Sequence, residues 1–333
     1  MDYMPQYIKS QLFVTPPLPT TSFTGQTIIV TGANVGLGFE AAKLFVAYDA
    51  AKVILAVRDT TKGDTAKSNI EASTGRQNVV QVWNLDMLRY DSVLAFAQRA
   101  ATELDRLDAA VLNAGMITSE FELSAQGNEK TLEVNVLATF LLFLLLLPKM
   151  KETAQKYRVR PHLSIVSSEV HHFATFAEGR VPADQSILKT LNTEETAKMS
   201  ARYTASKAME ILIFNQICTE IRNAHPDAST SYPVILNILN PGFCHSNFFR
   251  DKEPWYVYLS KVLTARRTEV GARTLVHAAS AGPESWGEYL SDSGVQAMAK
   301  WVLEPEGEQV GKRVWSEVKE VLEKAKPGLL QNI

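Results

Sequence analysis

An α/β architecture, a parallel sheet covered by helices on both faces, is predicted by three observations. Apolar runs of strand length alternate with segments whose apolar residues recur at helical spacing. That alternation implies parallel strands joined by crossover helices. The first strand, Thr27-Ile28-Ile29-Val30, runs into the turn Thr31-Gly32-Ala33-Asn34-Val35-Gly36-Leu37-Gly38, and a helix follows at once. No Pro/Gly/Ser linker divides the chain, so one domain is expected over residues 26–295. An N-terminal arm (1–25) precedes it and a C-terminal helical extension (296–333) follows.

Taken in order, residues 1–25 hold Pro5, Pro16, Pro17 and Pro19 without clear periodicity. They read as an extended arm that docks through Ile8, Leu12 and Phe13. Phe39 to Val46 has helical spacing, and Lys52 to Val57 is a second strand. Asp64 to Ala72 is helical, Asn78 to Trp83 a third strand, and Asp91 to Leu104 an amphipathic helix. Ala109 to Leu112 is a fourth strand. Leu132 to Met150 is a long buried helix whose Leu-rich run ends at Pro148. His162 to Val166 is a fifth strand, Tyr203 to Asn223 a helix, and Val234 to Leu239 a sixth strand. Thr268 to Ser280 is helical, Glu288 to Leu290 a short last strand, and Gly307 to Ala325 a C-terminal helix.

Composition narrows the function. With 333 residues, 46% hydrophobic and 21% charged, the chain supports a sizeable core. A net charge of −2 without a basic block gives no reason to expect a nucleic-acid or acidic-membrane partner. The two cysteines, Cys218 and Cys244, lie in unrelated segments and read as free thiols of a reducing compartment. The first 21 residues lack a basic region followed by an apolar core. The run from Val136 to Leu147 is too short to span a bilayer. A soluble, cytoplasmic protein with no membrane span is the expectation.

The turn after the first strand has the form of a phosphate cradle. Glycine allows a tight turn and close approach of a pyrophosphate, and the free N–H groups of the new helix then face the anion. Gly32, Asn34, Val35, Gly36, Leu37 and Gly38 are the candidate cradle. In such sheets ligands lie beyond the carboxyl ends of the strands. Arg58 ends the second strand and Lys62 follows one helical turn later. A guanidinium there suits the 2′-phosphate of NADP, where an acid would accept the ribose hydroxyls of NAD. Adjacent Asp59 blurs that distinction. Asp86, after the third strand, either meets an adenine amino group or caps a helix. Asn113, Ala114 and Gly115, after the fourth, are small enough to pass beneath a cofactor. Ser167 and Ser168 follow the fifth. Tyr203 and Lys207, four apart, share one helix face. Pro241 and Gly242 fix the turn after the sixth.

On these residues the chain resembles the short-chain dehydrogenase/reductase family. The resemblance runs from about Gln26 to Leu290. It rests on Thr31-Gly32 with Gly36 and Gly38, on Asn113-Ala114-Gly115, on Asn135, on Ser168, on Tyr203 with Lys207, and on Pro241-Gly242. It implies a Rossmann-type, seven-stranded, doubly wound parallel sheet, and hydride transfer between a nicotinamide and a carbonyl or alcohol carbon. It implies that Tyr203 is the general acid in reduction and the base in oxidation. Lys207 would bind the nicotinamide ribose and favour tyrosinate, and Ser168 would hydrogen-bond the substrate oxygen. Asn135 would hold a water that relays protons to Lys207. Pro241, Gly242, Phe243 and Ser246 would surround the nicotinamide amide. The chemistry agrees: free tyrosine titrates near pH ~10, and a nearby ammonium favours its anion. Ser167 remains an alternative to Ser168, and Asn135 has a purely structural alternative in satisfying backbone groups. The branch most resembled is that of retinol-dehydrogenase-like enzymes and natural-product ketoreductases, through Ala56-Val57-Arg58-Asp59 and Arg267 to Ala272.

Ser168 and Tyr203 stand 35 positions apart, more than the family's usual separation. The stretch 171–200 carries His171, His172, Phe173 and Phe176. No third ligand follows the paired histidines at suitable spacing, so a substrate-side loop is expected and a metal is not. With 248–266 as a second substrate loop, the two stretches should flank one aromatic-lined cleft. The insertion can block packing between subunits, leaving monomer or homodimer open. The expectation is an NADP(H)-dependent oxidoreductase acting on a carbonyl or secondary alcohol of an apolar small molecule. Its rivals are an isomerase, cyclase or dehydratase on the same scaffold, and an NADP-sensing regulatory protein.

Overall fold

The computed structural model describes residues 3–245, 261 and 264–333. Its centre is one sheet of order β3-β2-β1-β4-β5-β6-β7-β8. The strands are β1 (Thr27–Thr31), β2 (Lys52–Val57), β3 (Val80–Asn84), β4 (Ala109–Leu112), β5 (His162–Val166), β6 (Ile235–Asn240), β7 (Glu288–Ser291) and β8 (Gly294–Gln296). β1 to β7 are parallel. The expected seven strands are therefore joined by an eighth, β8, which pairs antiparallel on the edge of β7. Asp292 and Ser293 make the tight return with positive φ, a pattern of polar residues that does not read as a strand in sequence. Ile28, Ile29, Val30, Val53, Ile54 and Leu55 are fully buried, since both faces of the sheet are covered. Chain order reverses between β1 and β4, which opens a crevice at their carboxyl ends.

The N-terminal arm is not extended. Residues Met4–Phe13 form a helix, α1, with Pro5 in its first turn, where a missing N–H costs nothing. Nor does it dock by its apolar side chains: Ile8, Leu12 and Phe13 are 45%, 50% and 79% exposed. Its buried residues are Ser10 and Gln11. Gln11 Nε2 donates to the carbonyls of Phe243 (3.0 Å) and Thr264 (3.2 Å), and the Phe243 N–H donates back to Gln11 Oε1. Arg266 Nη2 donates to Ser10 O, Ser10 Oγ and Val14 O. Polar side chains thus clasp α1 to the turn after β6, and apolar pattern alone could not reveal that.

The connecting helices α2 (Gly36–Ala47), α3 (Thr60–Thr74) and α4 (Tyr90–Glu103) follow β1, β2 and β3. The Leu-rich helix begins with a π turn, Glu133–Ala138, and continues as α5 (Thr139–Tyr157). It runs on through Pro148 to Tyr157, beyond the expected end at Met150. Proline there cannot donate to the carbonyl one turn back, and Asn332 Nδ2 supplies the missing donor to Leu144 O at 3.1 Å. The helix is apolar and long enough to cross a membrane, but its most apolar window is 89% buried within the fold.

The stretch 171–200, expected as a substrate loop, lines the cavity at Phe173 and elsewhere packs largely into the core. Phe176, Ile187, Leu188 and Leu191 are buried in the core. The short helix α6 (Ile187–Leu191) is capped by Glu317, which accepts from the N–H groups of Ile187 and Leu188. α7 (Met199–Ala224) carries Tyr203 and starts a turn earlier than expected. α8 (Thr268–Ala278) leads back to β7. The C-terminal helix α9 (Pro305–Ala325) packs on α7 through buried Val314, Trp315 and Val318. The proposed second loop, 248–266, lies mostly outside the described residues, so the cleft it was expected to share does too.

Candidate functional site

Thr31 ties the ends of β1 and β4 together at the switch point. Its hydroxyl accepts from the N–H groups of Asn113 (2.9 Å) and Ala114 (2.8 Å), and Asn113 Nδ2 donates to Thr31 O. The glycine turn sits against this lock. Gly32 and Gly36 have φ of +65° and +63°, conformations that side chains disfavour. A Cβ on Gly38 would come within 2.6 Å of Asn113 Nδ2 and 2.7 Å of Gly32 O, so Gly38 serves close packing. The residue before α2, Val35, offers no side-chain acceptor to the first turn of the helix. Those N–H groups remain available to an anion.

The turn forms one wall of a cavity of about 1190 Å³. Gly32, Asn34, Val35, Gly36 and Leu37 line it, as do Arg58, Lys62 and Asp86. So do Asn113, Ala114 and Gly115, and further along Ser168, Tyr203, Lys207, Pro241, Gly242 and Phe243. Residues from six strand ends thus converge on one crevice, which Met4 and Tyr7 of α1 also line. Of the expected site residues, Gly38 and Asn135 do not line it, and Ser246 lies outside the described residues.

At one end, Arg58 and Lys62 are exposed. Asp59, which blurred the NADP reading, is the N-cap of α3: Oδ1 accepts from the Lys62 N–H at 3.1 Å. That hydrogen bond and nearby Lys62 hold its carboxyl below the usual range. Asp86 holds the turn after β3 and borders the cavity. Its Oδ1 accepts from the Leu88 N–H at 3.0 Å. It does not cap α4, whose first turn follows Arg89.

At the other end, Ser168 and Tyr203 line the cavity together, near enough for the Ser168 side chain to act on the Tyr203 hydroxyl. Both serines line the cavity but differ in their neighbours: the Ser167 Oγ is 3.5 Å from Lys207 O and acts on Glu210, whereas Ser168 acts on Tyr203. Lys207 Nζ lies 5.9 Å from the Tyr203 ring centre. It donates to Val166 O at 3.0 Å and to Glu210 Oε1 at 2.7 Å, with both side chains buried. Burial pushes the Tyr203 hydroxyl above its ordinary value. Lys207 and the Ser168 side chain pull it down, while the carboxylates of Glu210 and Glu169 push it up.

Asn135 sits in the π turn, fully buried. Its Oδ1 accepts from Met116 N at 2.8 Å, and its Nδ2 donates to Met116 O and Ser206 Oγ, each at 3.0 Å. The side chain thus braces the segment after β4 against α7. The paired histidines also have structural partners. His171 Nδ1 is 2.7 Å from Ser168 O, and its Nε2 accepts from Ala299 N at 3.2 Å. The His172 ring stacks on Tyr3 at 3.6 Å. Among the described residues no group of three His, Cys, Asp or Glu is placed to hold a metal ion.

Sequence reasoning missed Glu169, Glu210 and the two α1 residues. Glu210 had a signal, an acid one turn beyond Lys207 among apolar neighbours. Glu169 had only its place after Ser168. Met4 and Tyr7 had none, because tertiary docking alone brings them here.

A family model described as short chain dehydrogenase matches residues 26–159. The chain is 43% identical over 329 residues to the short chain dehydrogenase/reductase dmxR8 of Cryptosporiopsis sp. (strain 8999), covering 98% of this chain and 99% of that protein. It is 38% identical over 328 residues to the short-chain dehydrogenase anuD of Penicillium roqueforti (strain FM164), covering 97% and 84%. Among solved structures, the fold is similar to the Pseudomonas aeruginosa RhlG/NADP active-site complex. That likeness has a TM-score of 0.58 at 20% identity and covers 81% of this chain and 95% of that one.

Proposed function

The chain belongs to the short-chain dehydrogenase family, and from that premise we propose that it is an NADP(H)-dependent oxidoreductase. In this reading it interconverts a carbonyl and a secondary alcohol on a largely apolar small molecule within natural-product biosynthesis. One observation carries the reading: the Ser168–Tyr203 hydroxyl pair, with Lys207 one turn on, shares a single cavity with the glycine turn and Arg58.

The residues present fit a dinucleotide. The uncapped start of α2 and the backbone of Gly32 to Leu37 would hold the pyrophosphate. Arg58 and Lys62 would grip the 2′-phosphate that distinguishes NADP from NAD. Asp86 would border the adenine, and Asn113 to Gly115 would pass beneath the cofactor. Pro241 to Phe243, at the same cavity, would flank the nicotinamide. The bound nicotinamide would supply the hydride or accept it.

The chain's own residues manage the proton and the geometry. Ser168 and Tyr203 together present two hydroxyls to the substrate oxygen, stabilising charge that develops there. Tyr203 gives its proton to that oxygen in reduction and removes it in oxidation. Lys207 holds positive charge beside the tyrosine, and Asn135 fixes the segment against which the substrate end is built. Residues 26–295 would form the catalytic unit, with 296–333 bracing the Ser168 turn through Ala299 and His171. The test is direct: purified protein is mixed with NADPH or NADH and a panel of ketones, and nicotinamide absorbance is followed. Ketone-dependent loss of NADPH absorbance supports the reading. Nucleotide binding without turnover on any carbonyl or alcohol contradicts it.

A further inference from the structure

The N-terminal helix reaches the cavity, yet the mechanism above gives it no part. At spacings of three and four, Met4, Tyr7 and Gln11 fall on one face of α1. The Gln11 end of that face is fixed by its hydrogen bonds with Phe243 and Thr264. The turn after β6 is shaped to receive it: a Cβ on Gly242 would lie 2.6 Å from Gln11 Oε1. The other end is fixed by rings. Tyr3 stacks on His172 with centroids 3.6 Å apart and planes 4° from parallel, and it meets Phe173 edge to face at 5.8 Å. α1 is therefore held between the segment after Ser168 and the turn after β6, and both of these line the cavity.

Between those anchors, Met4 and Tyr7 line the cavity together with Phe173. Met4 is 46% exposed and Phe173 40%, and Tyr7 is half-buried. The rings of Tyr7 and Phe173 meet edge to face at 6.4 Å, 82° apart. Apolar surface left open on a cavity wall favours a ligand that covers it. Rings add a preference in kind, because stacked or edge contacts between them stabilise beyond the area buried. A methionine sulfur also favours an aromatic partner. Two rings at a steep angle beside a thioether thus suit a flat aromatic group better than a saturated one of the same size.

We infer that Tyr7 of α1, beside Phe173 and Met4, is a specificity-determining residue that receives an aromatic ring of the substrate. The substrate class is then a ketone, or its alcohol, whose apolar body carries such a ring. This deepens the proposed function and rests on its placement of the carbonyl at Ser168 and Tyr203.

The experiment uses full-length protein loaded with NADP and compares tetralone with decalone, the saturated ketone of the same bicyclic skeleton. Dissociation constants come from calorimetry and reduction from NADPH absorbance. The wild type should bind tetralone about 3- to 10-fold more tightly, the scale of one ring contact beyond its area. Tyr7→Leu keeps an apolar side chain without the ring and should erase that preference, whereas Tyr7→Phe should retain it. NADP affinity should be unchanged in both variants, which reports an intact fold. Equal binding of the two ketones by the wild type overturns the inference. So does a preference that survives in Tyr7→Leu or is lost in Tyr7→Phe. Ring-selective, Tyr7-dependent binding without reduction of either ketone would support the inference and contradict the redox reading. Reduction of both without a Tyr7-dependent preference would do the reverse, so the two fail separately.

Discussion

The ammonium of Lys207 lies 2.7 Å from the carboxylate of Glu210, and both are buried beneath Tyr203. The pair sets opposing charges under the phenol, Lys207 lowering its pKa and Glu210 raising it. Burial raises Glu210 itself to about 7, against the pull of Lys207. In the proposed mechanism alcohol oxidation needs tyrosinate, so its rate should rise with pH through the Tyr203 pKa. Glu210→Gln removes the charge that raises that pKa, and the rising limb of the oxidation profile should move to lower pH. In reduction, which needs the protonated phenol, the falling limb should move the same way. Profiles of kcat/KM against pH for both directions check this. Coincident wild-type and variant profiles would show that Glu210 does not act on Tyr203.

Tyr203→Phe removes the proposed acid and keeps the ring that packs near Lys207. Turnover should fall by roughly 10²–10⁴, the scale of a lost general acid. NADPH binding, measured by fluorescence on the same sample, should persist. Wild-type turnover in this variant would exclude Tyr203 as the acid.

Arg58 lines the cavity from an exposed position, while its own carbonyl is fixed by Asn84 Nδ2 at 2.9 Å. Its side chain is therefore presented from an anchored backbone. Arg58→Ala should weaken NADPH binding about tenfold or more, the scale of a charge-assisted hydrogen bond. NADH binding should barely change. Equal titration curves for the two nucleotides in the wild type would remove the basis for NADP preference.

His171 is fully buried, and its ring joins Ser168 O to Ala299 N. Accepting from Ala299 requires an unprotonated Nε2. Burial lowers its pKa from 6.5 to about 4, against the opposing effect of its Ser168 bond. A base with a depressed folded pKa gives stability that is complete above the unfolded value and lost as pH falls through the folded one. Relative to His171→Gln, the wild type should therefore lose advantage between about pH 6.5 and 4. The loss should total roughly 3.5 kcal/mol at most, at 1.4 kcal/mol per pH unit. Urea unfolding of both proteins across that range measures it. A constant difference would mean that the ring titrates normally.

The sequence by itself determined the strand and helix alternation, the glycine turn, and the residues at each strand end. These are local signals: apolar period, turn chemistry, and residue types suited to phosphate or proton work. It also placed Tyr203 and Lys207 on one helix face, because a separation of four fixes that without any tertiary contact. That Ser167 has Lys207 and Glu210 as neighbours and Ser168 has Tyr203 depended on how the chain leaves β5. The roles of Asp59 and of the histidine pair likewise depended on which groups came within hydrogen-bonding reach. α1 was hidden most completely. Its docking uses Ser10 and Gln11 against Arg266 and Phe243, more than 230 positions away, and leaves Ile8, Leu12 and Phe13 exposed. Hydrophobic pattern reports burial against a core, and it carries no information about a polar clasp formed only when the turn after β6 is in place.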